Sequence, residues 1–177
     1  MKNNAKLILI SLVVLIMTAA CSSNKKEPVV VEPPRNPIML AQDASSNGMK
    51  AFADKFYTEA ITNFSEAIAL YNEVAVTAAP TDSIPQNIEK MNLNIATSHL
   101  RMAEESLEDQ IFNEAVAHYD TALVIYKSLA PLTKPKTELD AEILVLYRNL
   151  AVANQKAGNF ETAINNIDQV LAVEPGN

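Results

Sequence analysis

Apolar positions fall into three regimes along the chain. Leu7 to Met17 is an almost unbroken apolar run behind Lys2 and Lys6, too short to span a bilayer comfortably. Residues 22–38 then read SSNKKEPVVVEPPRNPI, with Pro28, Pro33, Pro34 and Pro37 among them. Proline fixes φ and favours the extended polyproline form at about 3.1 Å per residue, so this stretch reaches up to ~50 Å. Val29 to Val31 leave two readings open there, a plain spacer or a short strand added to a partner's edge. From Leu40 onward apolar residues recur at helical spacing in Ala-rich runs, and no strand-type alternation appears. Pro80 with Pro85, Pro131 with Pro135, and finally Pro175 punctuate these runs and mark connections. Thr137 followed by Asp140 reads as a capping-box helix start. The pattern predicts an all-α domain over residues 40–177.

Three stretches within it align without gaps: Asp54-Lys55-Phe56-Tyr57-Thr58-Glu59-Ala60, Asp109-Gln110-Ile111-Phe112-Asn113-Glu114-Ala115, and Ala157-Gly158-Asn159-Phe160-Glu161-Thr162-Ala163. Each places an aromatic three residues before a small alanine. Each continues with a bulky residue four positions on and a small or β-branched one at seven: Phe64 and Ala67, Tyr119 and Ala122, Ile167 and Val170. Such spacing collects apolar groups on one helix face, where small residues allow two helices to approach and large ones fill the space above.

With Gly48, Ala103 and Ala151 on the preceding helices, these residues resemble the tetratricopeptide repeat (TPR), a helix–turn–helix of 34 residues. The third copy matches furthest, from Leu150 and Ala151 through Gly158, Phe160, Ala163 and Ile167 to Pro175. The resemblance implies a TPR-like helical-hairpin solenoid of about three repeats, each burying its apolar face against its neighbours. The anchor alanines Ala60, Ala115 and Ala163 are spaced more widely than the repeat length, so lengthened helices or extended loops are expected. The last helix, Phe160 to Val173, is expected to turn Thr162, Asn165, Asn166 and Gln169 outward as a polar end cap. Beyond it only the residues around Pro175 remain, and that open end is expected to dock a partner or a second copy.

Composition narrows the chemistry. One Cys and two His among 177 residues exclude a disulfide framework or a zinc finger. A net charge of −7 argues against nucleic acid as a partner. Three glycines leave little room for a phosphate-cradling loop. Thr18-Ala19-Ala20-Cys21 after the apolar run resembles a bacterial lipoprotein signal, with Thr18 standing where that pattern favours Leu, Val or Ile. The resemblance implies a signal peptide over 1–20, a diacylglycerol on the Cys21 thiol and a lipid-anchored, Pro-rich tether over 21–39. Each buried acyl methylene contributes ~0.8 kcal/mol, so two or three chains would anchor the protein stably. Ser22, in place of Asp, implies sorting to the periplasmic side of the outer membrane. The alternative is an ordinary secretory signal with Cys21 incidental.

No catalytic constellation is legible, and neither a cofactor nor a metal is expected. His99 falls where the repeat packs a large side chain, and His118 has no acid or nucleophile beside it in sequence. Glu104, Glu105, Glu108 and Asp109 pair like charges at i,i+4 near a helix C-terminus. That cluster is either a solvated acidic edge or a contact for a basic partner or a cation. TPR arrays bind peptides or helices on the surface lined by the first helix of each repeat. Carried onto this chain, those positions are Ser45, Met49 and Phe52, then Leu100, Glu104 and Leu107, then Arg148, Val152 and Gln155. Arg148 is the single cation among them, which disfavours a carboxylate clamp and favours an apolar or amphipathic segment. The other reading makes several of them core. The expectation is a non-enzymatic, lipid-anchored adaptor that binds another envelope protein, the alternative being a structural lipoprotein that associates with itself, with an envelope enzyme using His99 or the acidic cluster as the third reading.

Overall fold

The computed structural model describes residues 36–76 and 83–174. The expected signal peptide, Cys21, the expected tether up to residue 35, Pro80 and Pro175 lie outside the described residues. Among those described there are six helices and no strand: α1 (Pro37–Ala53), α2 (Tyr57–Ala75), α3 (Ile84–Glu108), α4 (Phe112–Ser128), α5 (Lys136–Ala157) and α6 (Phe160–Leu171). Each helix packs principally on its neighbours in sequence. The arrangement is all-α and TPR-like, three helical hairpins in succession. No helix among the described residues is long and apolar enough to cross a membrane.

Helix α1 begins at Pro37, three residues before the Leu40 at which the periodicity sets in. Asn36 is its N-cap, and the Asn36 side chain accepts a bond from the Ile38 amide at 2.9 Å. Proline is well placed at the first helical position, where its missing N–H has no partner to lose. Pro85 likewise sits in the first turn of α3. The capping box expected at Thr137 and Asp140 does not form. Pro135 is the N-cap of α5 and offers no side-chain bond, while Asp140 pairs with Lys136 one turn earlier, at 2.7 Å. Proline's fixed φ sets the helix start there, ahead of the threonine.

The three hairpins share one turn. In each, the chain leaves the first helix through a left-handed residue: Lys55 at φ 65°, Gln110 at φ 63° and Gly158 at φ 83°. The next amide bonds back to the third carbonyl before the cap: Phe56 to Ala51, Ile111 to Ser106, and Asn159 to Asn154, each at 2.8 Å. This is the Schellman closure, and it satisfies carbonyls that the helix end leaves open. Only the third copy fills the position with glycine, the residue that adopts it without strain.

The aligned small residues are buried where the helices approach. Ala60, Ala67, Ala115 and Ala122 are fully enclosed, as is Phe64. Gly48 lies so close to Phe64 that a Cβ there would come within 2.6 Å of the ring. One core joins α1, α2 and the start of α3 around Phe64, Tyr71 and Ile95. A second joins the rest of α3 to α4 and α5 around Tyr119, Leu146 and Leu150. The lengthened parts are α3, at 25 residues, α5, at 22, and the extended link between α4 and α5.

Candidate functional site

The first helices α1, α3 and α5 carry the nine residues expected to form a groove. Met49, Val152 and Gln155 are exposed, while Ser45, Phe52, Leu100, Glu104, Leu107 and Arg148 are half-buried. Phe52 meets Tyr57 edge-on, with centroids 5.4 Å apart, and packs on the first core. Leu100 and Leu107 pack on the second core. The half-buried leucines thus show one side to the core and the other to solvent. Met49 is tied to α3 by Asn94, whose side chain reaches its sulfur at 3.5 Å. Neither cation near this surface stands alone. Arg148 pairs with Glu174, and Arg101 with Glu104 at 2.7 Å.

Leu100 opens onto a cleft of about 320 Å³ between α3 and α5, walled by Thr97, Tyr126, Lys134, Glu142, Val145 and Asn149. Lys134, from the link before α5, pairs with Glu142 on that helix. Burial, and then the nearby Glu142 carboxylate, hold the Tyr126 phenol far above its usual range, so Tyr126 stays protonated. Glu142 pairs through Oε1 with Lys134, and its carboxylate also accepts from the Tyr126 hydroxyl. This cleft was not foreseen. Its polar members come from a loop and from faces of three helices, and no spacing in the sequence announces their meeting.

The two histidines also meet across the second hairpin, with Nδ1 of His99 and Nδ1 of His118 3.2 Å apart. Burial, and then the facing His118 ring, push His99 below the ordinary histidine range. One ring donates to the other while at least one is neutral; two imidazolium rings at that distance repel. Of the acidic cluster, Glu104 is engaged by Arg101, while Glu105, Glu108 and Asp109 are exposed. No group of three or more His, Cys, Asp or Glu is placed to hold a metal among the described residues.

The end face of α6 departs from expectation. The polar cap is real on its solvent flank, where Thr162, Asn165 and Gln169 are exposed and Asn166 half-buried. Ile167, expected in the core with Phe64 and Tyr119, is 41% exposed where those are 0% and 2%. Beside it Phe160 and Ile164 are 64% and 62% exposed. The helix that covers the equivalent face of the first two repeats has no counterpart here among the described residues.

No family model matches the chain, and no curated protein does either. Among solved structures it is similar to the C-terminal TPR-containing domain of a Plasmodium falciparum protein described as FK506-binding, at 18% identity and a TM-score of 0.41, covering 80% of this chain and 81% of that one. It is also similar to the TPR domain of Arabidopsis FLU, at 16% identity and a TM-score of 0.40, covering 80% and 99%.

Proposed function

We propose that this chain is a lipid-anchored adaptor of the bacterial envelope that binds a segment of another protein on the surface of α1, α3 and α5. The observation that carries the binding half is the cleft at Leu100. It has an apolar floor in Leu100, Val145 and Leu146, with Thr97, Lys134 and Asn149 at its polar wall. The apolar side chains of an incoming segment suit Leu100 and Val145, and its backbone groups find polar partners in Thr97 and Asn149 at the wall. The half concerning the membrane rests on the sequence, on the apolar run before Thr18-Ala19-Ala20-Cys21.

Photo-crosslinking in the native cell tests the first half. A probe at Leu100 is expected to give one discrete heterologous adduct, and a probe at the exposed Asn72 on α2 none. Equal labelling from both places, or none from Leu100, would remove the groove. Labelling with radioactive palmitate tests the second half. Incorporation into the wild type and not into Cys21→Ala supports the anchor, and incorporation into neither sinks it.

A further inference from the structure

The end face of α6 is built to receive a helix. The register of the three hairpins makes Tyr57, Phe112 and Phe160 equivalent, likewise Ile61, Val116 and Ile164, and likewise Phe64, Tyr119 and Ile167. In the second repeat, α5 supplies the cover: its Leu146, Leu150 and Ala153 share a core with Tyr119 and Ala122 of α4. The same α5 places Lys156 over the ring of Phe112, with Nζ 5.7 Å from the centroid. In the third repeat the corresponding surface is an open cleft of about 380 Å³, floored by Ala151, Val152, Phe160, Ala163, Ile164 and Ile167.

Charge identifies the occupant. Helix α6 carries Glu161 and Asp168 and no Lys or Arg. At helical spacing the two carboxylates fall on one flank of the Phe160, Ile164 and Ile167 stripe, two turns apart. Both are exposed, and neither has an ion pair among the described residues. A second copy would bring the same acidic flank and a chain of net charge −7. We infer that the α5–α6 end face docks an amphipathic α-helix of a partner protein, apolar along one face with Lys or Arg on its flank. Its apolar residues take the places that Leu146, Leu150 and Ala153 take one repeat earlier, and a basic residue lies over Phe160 as Lys156 lies over Phe112. The inference deepens the adaptor reading by naming a second surface and the chemistry that fits it.

The probe is a labelled synthetic peptide of residues 136–157 of this chain with Glu138, Asp140 and Glu142 replaced by Lys, titrated against the full chain by fluorescence anisotropy. Its twin keeps the three acids. The basic peptide is expected to bind at least tenfold more tightly than the twin. The Glu161→Lys/Asp168→Lys double variant is expected to reverse that order, and Ile164→Lys to abolish binding with the helical circular dichroism unchanged. Equal affinity for both peptides, or no effect of the double variant, would overturn the inference. So would a chain that doubles its mass at micromolar concentration and returns to monomer in Ile164→Lys, since a second copy would then be the occupant. Crosslinking from Leu100 in the Ile164→Lys background separates the two surfaces: it persists if the groove reading holds and only the end face fails.

Discussion

Gly48→Ala is the substitution that most directly tests how closely the first hairpin is packed. The added Cβ would stand 2.6 Å from both Cδ1 and Cε1 of Phe64, where carbon atoms prefer about 3.5–4.0 Å. The ring has nowhere to retreat, because Phe64 is fully buried and sits among Ala44, Ala60 and Ala67. Overpacking of this kind costs about 1–3 kcal/mol, while alanine in place of a helical glycine returns ~1 kcal/mol of propensity. The expected net loss is about 0–2 kcal/mol. Urea unfolding followed by circular dichroism should show a lower midpoint at unchanged m. Phe64→Leu removes the ring edge and makes room, so the alanine should cost at least ~1 kcal/mol less in that background, a coupling of the size seen between touching residues. An equal cost in both backgrounds would refute the close-packing argument.

Lys55→Gly and Gln110→Gly should each stabilise the chain by ~1 kcal/mol, because both replace a left-handed residue that pays for its Cβ; Gly158→Ala should cost a similar amount, read by the same urea titration. Acid should loosen the second hairpin through His99. Its pKa is lowered in the fold, so the unfolded chain binds more protons and stability is lost as pH falls below the ordinary histidine range. His99→Gln should flatten that part of the curve of melting temperature against pH, and an unchanged slope would show that the pair is not the cause. Phe64→Ala should cost about 3–5 kcal/mol by leaving a cavity in the first core, whereas Ile167→Ala should cost far less because Ile167 is 41% exposed.

Periodicity and small-residue spacing made the hairpins legible, because Ala60, Ala115 and Ala163 mark a steric requirement that any close helix crossing imposes. The shared turn was half-legible. Gly158 announces a left-handed residue, but Lys55 and Gln110 do not, and only the alignment places them at the same step. The capping box failed because a short pattern at Thr137 competes with a proline that sets φ outright. Ile167 was misplaced for a different reason. Its spacing is that of a core residue, and burial depends on what lies across from it, which no property of α6 itself records. The cleft beside Leu100 was illegible since Lys134 and Tyr126 reach it from a link and from a second helix.

The two ends of the stack are built differently, and the repeat register shows it. The positions that face the preceding repeat are Ser98 and Met102 on α3 and Leu146 and Leu150 on α5, all buried or half-buried. Their counterparts on α1 are Asp43 and Asn47, both exposed, beside Glu66 of α2. The α1 end thus presents carboxylates and an amide where α5 presents two leucines and α3 presents Ser98 and Met102. The α6 end presents Phe160, Ile164 and Ile167 where a closing helix would present polar ones. Head-to-tail stacking would bury Asp43 and Glu66 against that apolar face without a partner, at the cost that any unpaired buried charge carries. An open-ended contact of this sort would also propagate into fibres. The polar α1 end disfavours that route, which agrees with the proposal that a different chain occupies the α6 face.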